Sequence, residues 1–166
     1  MAGFRVRISK DYTVFSAAHF VSYDGDQIEP LHGHNYRTAL SVEGDLDQNA
    51  YVYNFVPLKR ALRAICDSLD HRLILPSGNP LVEIEHTDGA YRVRAGAKHY
   101  SFPEEDVVQL PIPNTTAEML AQWIAAGIEA RLRDQGGLRA GLTALEVEVE
   151  ESFGQRAYCR WTLRAS

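Results

Sequence analysis

Cysteine is scarce in this chain. Its 166 residues hold two, Cys66 and Cys159, too few for a disulfide framework and without the CxxC spacing of a thiolate metal site. That fits a reducing compartment, and the cytoplasm is the expected location. Long apolar runs are absent too: nothing approaches the roughly 20 residues that span a bilayer. No apolar leader follows a positive start, since Met1-Ala2-Gly3-Phe4-Arg5-Val6-Arg7 already alternates. The expectation is a soluble, unexported protein with no membrane partner. Basic excess is missing as well: 17 Lys and Arg stand against 22 Asp and Glu, for a net charge of −5. With no basic field and no nucleic-acid motif, no nucleic-acid partner is expected. An anionic substrate would need a local basic pocket, which the sequence does not locate. No internal repeat recurs at a solenoid period. What remains, 45% apolar residues over this length, suffices for one buried core, so a single domain over 1–166 is expected.

Residues 4–18 alternate through Phe4, Val6, Ile8, Tyr12 and Val14, the period of a strand with one buried face. A loop rich in Tyr, Asp, Gly, Gln and Pro follows over 21–31, and strand character resumes from His32 to Val42. These two strands form an antiparallel pair. Pro57 marks a first helical turn, and Leu58, Ala61, Leu62, Ile65 and Leu69 recur at helical spacing. Asp88-Gly89 is a strong hairpin turn between Val82-Ile84-His86 and Tyr91-Val93, with Lys98–Phe102 as a possible third strand. This segment, near 80–104, reads as a hairpin inserted into the domain. A second helix begins at Thr115 or Thr116 and carries Met119, Leu120, Trp123, Ile124, Ile128 and Leu132 on one face. Two strands, near 143–150 and 156–164, close the chain through a turn at Ser152-Phe153-Gly154-Gln155. The fold class is α+β.

Three of the six histidines fall in one window. Twelve residues separate His19 from His32, and one separates His32 from His34. On a strand, i and i+2 point the same way, so His32 and His34 share a face and His19 need only sit on the neighbouring strand. Such a set suits a metal ion, zinc first, with one of four positions left open as in catalytic sites. The plainer reading is three unrelated histidines in polar niches.

Ser16-Ala17-Ala18-His19, Leu31-His32-Gly33-His34-Asn35-Tyr36, Leu69-Asp70-His71, Asn114-Thr115-Thr116-Ala117-Glu118 and Val149-Glu150-Glu151-Ser152 occur in this order. Together they resemble the 6-pyruvoyl-tetrahydropterin synthase family, which includes the 6-carboxy-tetrahydropterin synthases of queuosine biosynthesis. The resemblance spans nearly the whole chain except Arg72 to Pro113. It implies a tunnelling fold: a four-stranded antiparallel sheet with two helices on one face, assembled as a homo-oligomer of trimers or paired trimers. It implies a small-molecule pterin substrate, 7,8-dihydroneopterin triphosphate, bound between subunits. By the same resemblance His19, His32 and His34 would hold Zn2+, and Asp70 and His71 would move protons. Glu151 would anchor the pterin by accepting two parallel N–H bonds. Alternation sets Glu151 apart from Glu146, Glu148 and Glu150, which share the other face. Thr115, Thr116 and Glu118 would line the pterin pocket. Each also has an ordinary reading: Asp70-His71 as a helix terminus, and Thr115-x-x-Glu118 as a capping box.

The chain departs from the family at its base. The synthases carry a cysteine four residues before His-Gly-His, and here Ile28 stands there; Cys66 and Cys159 read as small buried residues. Asn54 also replaces a common Asp and reads as structural. Glu29, in Glu29-Pro30-Leu31-His32-Gly33-His34, resembles a branch in which glutamate is the base and the side chain is cleaved to 6-hydroxymethyl-7,8-dihydropterin, a folate precursor. Three outcomes stay open: that lyase, a 6-pyruvoyl- or 6-carboxy-tetrahydropterin synthase using another base, and a non-catalytic zinc- and pterin-binding oligomer. On the last, Glu29 is merely a solvated loop residue. Whether His86 and His99 in the hairpin segment shape a pocket is not decided by sequence.

Overall fold

The computed structural model describes residues 3–163. Two long strands, β1 (Phe4–His19) and β4 (His32–Gly44), bracket a miniature antiparallel pair, β2 (Ser22–Tyr23) and β3 (Gln27–Ile28). β1 and β4 pair antiparallel, ending with His19 opposite His32. Along β4 the alternation is unbroken, so His32, His34, Tyr36, Thr38, Leu40 and Val42 share a face.

β1 departs from simple alternation. Ser9 lies opposite Ala39 and Val14 opposite Arg37, so β1 gains an odd number of residues on its partner within a bulge. An odd gain reverses which side chains face inward. Ile8 is buried before the bulge, and Thr13, Phe15, Ala17 and His19 after it; Tyr12, expected in the buried row, is exposed. Two threonines fix the bulge. The Thr13 hydroxyl lies 2.8 Å from the Lys10 carbonyl and 3.0 Å from that of Thr38, while the Thr38 hydroxyl donates to the Thr13 carbonyl at 2.9 Å. Without this shift His19 would face away from His32 and His34.

α1 (Phe55–Leu69) starts at Asn54, whose side chain accepts from the Val56 N–H at 2.8 Å; Asn54 is the N-cap. From its end the chain enters β5 (Arg72–Pro76), which pairs parallel with β1. Next come β6 (Val82–Thr87), β7 (Ala90–Ala95) and β8 (Lys98–Pro103), a separate antiparallel sheet of three strands. Asp88 and Gly89 make its first turn, with φ of 52° and 72° as such a two-residue hairpin requires. β9 (Val107–Leu110) then pairs parallel with β5.

α2 (Ala117–Asp134) is capped by Thr116, which accepts from the Met119 N–H. The capping box expected on Thr115 and Glu118 is therefore displaced: the cap lies one residue later, and the Thr115 hydroxyl donates to the Phe20 carbonyl instead. β10 (Leu142–Ser152) and β11 (Gln155–Thr162) complete the main sheet, in the order β11-β10-β4-β1-β5-β9. Its first four strands are the expected antiparallel set. β5 and β9 extend it to six, drawn from a segment whose short apolar runs carry no period to distinguish strand from loop.

Both helices lay apolar rows on one face of this sheet. Leu58, Leu62 and Ile65 of α1 and Leu120, Ile124 and Ile128 of α2 join Phe15, Tyr36, Leu40, Leu145 and Val147 in the main core. A second, smaller core lies under β6–β8, where Val82, Val93 and Ala95 meet Phe20, Leu73, Leu75 and Val107. Ile28 and Leu31 pack against it, so both ends of the short loop carrying Glu29 and Pro30 are held by the smaller core. Among the described residues no helix is long and apolar enough to cross a membrane.

Candidate active site

Strand pairing brings three imidazoles together. His19 ends β1, directly opposite His32, and His34 lies two residues on along the same face of β4. Their ligand nitrogens all lie within 4.8 Å of one another. Gly33 makes the close pairing possible, because a Cβ there would stand 2.9 Å from the Ala17 carbonyl oxygen.

The outer nitrogens decide what the inner ones can do. His19 Nδ1 lies 3.0 Å from the Thr115 carbonyl and His32 Nδ1 lies 2.8 Å from that of Pro30. A carbonyl only accepts, so each Nδ1 carries the proton and each Nε2 is left with a bare lone pair. Those two Nε2 atoms face each other at 3.1 Å. Two lone pairs at that distance repel, and a cation between them removes the conflict. The three histidines could thus hold a metal ion. His19 is fully buried, and burial lowers its pKa from 6.5 to about 4; the Thr115 carbonyl opposes the shift, and His32 and His34 add to it. It is neutral and ligand-ready at neutral pH.

Next to the histidines lies a cavity of about 400 Å³ lined by Glu29, His32, His34, Thr116, Glu118 and Glu151, with Gln155 and Arg156 on its rim. Glu29 is half-exposed, and its Oε2 lies 3.9 Å from His32 Nε2. Glu151 is the bulged residue of β10: Glu150 pairs with Arg156 and Ser152 with Gln155, leaving Glu151 unpaired between them. Its Oε1 lies 3.6 Å from His19 Nε2 and 3.8 Å from His34 Nε2. The one cation on the lining, Arg156, is already bound to Glu150 at 3.0 Å. The N–H groups of Gly154 and Arg156 hold the Glu150 carboxyl below its usual range. Three carboxylates against one neutralised arginine favour a ligand that presents N–H donors.

Other expected residues lie elsewhere. Thr115 is buried and contributes its backbone to His19, not its hydroxyl to the cavity. Asp70 and His71 stand at the entry to β5, outside that cavity. Asp70 Oδ1 accepts from the Ser16 N–H at 2.8 Å, and its other oxygen lies 3.0 Å from His71 Nδ1. The Ser16 N–H first, then His71, hold the Asp70 carboxyl low. The His71 ring is largely exposed and borders a second cavity of about 580 Å³ with Ser16, Gly33, His34, Asn35 and Asp106. One chain therefore does not bring the Asp70-His71 pair into the cavity of Glu29 and Glu151. His86 pairs with Glu104 at 2.8 Å, and His99 lies on the three-stranded sheet, both away from the cluster of His19, His32 and His34.

Sequence reasoning gave Tyr36 no role. It is fully buried, stacked on Phe15, with its hydroxyl 3.2 Å from His19 Nδ1 and 3.3 Å from Glu151 Oε1. Burial, then the Glu151 charge, push its pKa up, so the phenol stays protonated. Its place two residues beyond His34 was the available signal.

This fold and this histidine cluster define a class. Residues 7–161 match the family model of 6-pyruvoyl tetrahydropterin synthase, and the chain belongs to that family. A protein of Methanocaldococcus jannaschii, provisionally named 6-carboxy-5,6,7,8-tetrahydropterin synthase, is 37% identical over 147 residues, 88% of each chain. The crystal structure of 6-pyruvoyl tetrahydropterin synthase from Plasmodium vivax superposes with a TM-score of 0.90 at 29% identity, covering 98% of this chain and all of that one. Variants of that enzyme have been solved in which a glutamate described as a catalytic residue is replaced by alanine or cysteine. A dihydroneopterin monophosphate aldolase of Pyrococcus furiosus is 38% identical over 58 residues, 35% of this chain and 48% of that one.

Proposed function

We propose that the chain is a zinc-dependent lyase that cleaves the side chain of 7,8-dihydroneopterin, free or phosphorylated, to give 6-hydroxymethyl-7,8-dihydropterin. The observation that carries this reading is the pair Ile28 and Glu29. Ile28, at the position of the synthases' cysteine, packs into the smaller core, while the Glu29 carboxylate reaches to 3.9 Å from a metal-facing nitrogen. The catalytic glutamate of the P. vivax enzyme and the aldolase activity named for the P. furiosus protein support it.

Three neutral imidazoles with an open fourth position suit zinc, whose bonds of about 2.0–2.1 Å set ligand atoms roughly 3.3 Å apart. Bound there, zinc would lower the pKa of the side-chain hydroxyls it holds. Glu151 accepts the pterin's ring N–H and 2-amino hydrogens through parallel bonds. Thr116 and Glu118 bound the ring. Glu29 then takes the proton of the 2′ hydroxyl. The C1′–C2′ bond breaks, its electron pair passes into the C6–N5 imine of the ring, and a two-carbon aldehyde leaves with any phosphate it bears. Protonation at C1′ completes the product. Because Asp70 and His71 do not line the cavity of Glu29 and Glu151 in their own chain, they serve this chemistry in a second copy of the chain, within a homo-oligomer. There the carboxylate fixes Nδ1–H and leaves Nε2 free to exchange a proton.

A second reading, 6-carboxy-tetrahydropterin synthase, is favoured by the likeness to the M. jannaschii protein. Zinc-loaded protein incubated with 7,8-dihydroneopterin and with its mono- and triphosphates, followed by chromatographic separation of the pterins, tests both. Accumulation of 6-hydroxymethyl-7,8-dihydropterin is expected. A 6-pyruvoyl or 6-carboxy product instead refutes the lyase reading, and no turnover of any of the three refutes both.

A further inference from the structure

Glu151 has two competing destinations. Its Oε1 already lies 3.6 Å and 3.8 Å from two metal-facing nitrogens, so a cation there would draw the carboxylate in as a fourth ligand. Capture would close the open position and take the anchor away from the substrate. Among the described residues one group opposes this. The Tyr36 hydroxyl lies 3.3 Å from the same oxygen, on a ring with no solvent exposure that is stacked on Phe15 at 4.7 Å. The phenol has a single hydrogen. The His19 Nδ1–H is itself a donor, committed to the Thr115 carbonyl and within reach of the phenol oxygen, while His19 Nε2, 3.4 Å from the phenol, has its lone pair occupied once a metal is held; the phenol hydrogen then goes to Glu151.

We infer that Tyr36 is a positioning residue whose fixed phenol tethers Glu151, keeping the carboxylate off the metal and aimed at the pterin. This rests on the reading of Glu151 as pterin anchor. The tether works because its donor end is fixed: Tyr36 is fully buried in the main core two residues beyond His34 on β4, and it holds the side chain of a residue that the β10 bulge leaves unpaired. A charge-assisted bond from a preorganised donor contributes more than a neutral one, and its loss frees the carboxylate to move.

Tyr36→Phe removes the hydrogen and keeps the ring. The full-length protein is to be titrated with zinc against a chelator, and the zinc-loaded protein with neopterin followed by its fluorescence. A tether predicts opposite changes: neopterin affinity falls about tenfold or more, while zinc affinity holds or rises. Cobalt in place of zinc would then show a changed visible spectrum as a carboxylate joins the imidazoles. Losses of zinc and neopterin affinity in parallel, a protein that does not fold, or unaltered neopterin binding each overturn the inference. Glu151→Gln separates it from its premise. If Glu151→Gln leaves neopterin affinity unchanged, the anchor reading falls and the tether with it. If Glu151→Gln weakens binding and Tyr36→Phe does not, the tether alone falls. The double variant should bind neopterin no worse than Glu151→Gln by itself, and additive losses contradict a residue acting through Glu151.

Discussion

When the metal-free protein is acidified from neutral pH, the unfolded chain takes up a proton on His19 near 6.5, while the folded chain resists until about 4. The cause is burial first: the ring has no solvent exposure, and its protonated form would sit beside two further imidazoles, against which the Thr115 carbonyl pulls the other way. Taking up that proton in the folded state costs roughly 3 kcal/mol, a substantial part of the usual 5–15 kcal/mol stability of a domain. The sign follows from linkage. Above 6.5 His19 is neutral in both states and contributes no slope; between 6.5 and about 4 the unfolded chain binds one more proton, so stability falls as pH falls; below about 4 the loss is complete. Urea unfolding of chelator-treated protein through this window, beside a His19→Gln variant that keeps a donor toward Thr115, isolates the contribution. The native protein should lose roughly 3 kcal/mol more than the variant. Parallel curves would refute the argument.

Two further substitutions test the site and the strand that presents it. Glu29→Gln should lower turnover about 10²- to 10⁴-fold while zinc content and neopterin binding hold; turnover within a few-fold of the native protein removes Glu29 as the base. Thr13→Val, which strips a hydroxyl from the β1 bulge, should destabilise by about 1–3 kcal/mol in urea unfolding and weaken zinc binding. Unchanged zinc affinity would mean that the bulge is held by something other than the Thr13–Thr38 exchange.

The histidine face of β4 was legible from the sequence, because alternation over His32 and His34 needs no tertiary information. The two helices were legible for the same kind of reason, through the period of Leu58–Leu69 and Leu120–Leu132. The parity of β1 was not: Lys10 to Thr13 hold no glycine or proline to announce a bulge, and only pairing with Thr38 produces it. β5 and β9 were missed because parallel strands earn their place from distant partners. Thr115 and Thr116 are equivalent as caps on paper, and the hydrogen bond from Thr115 to the Phe20 carbonyl decides between them. Where Asp70 and His71 emerge depends on the path from α1 into β5, which no local pattern encodes.

The loop bearing Glu29 and the strands bearing the histidines are founded on different cores, joined where the Pro30 carbonyl meets His32. The three clustered histidines belong to the main sheet, whereas Ile28 and Leu31 pack against the smaller core under β6–β8. A change in the loop, by a residue more or less or by a different acid, thiol or amide at its tip, leaves the register of β1 and β4 alone. Under the proposed function, the acid–base group is in this sense an exchangeable fitting on a fixed metal mount, so that one scaffold could pass from one pterin reaction to another without rebuilding its ligand set.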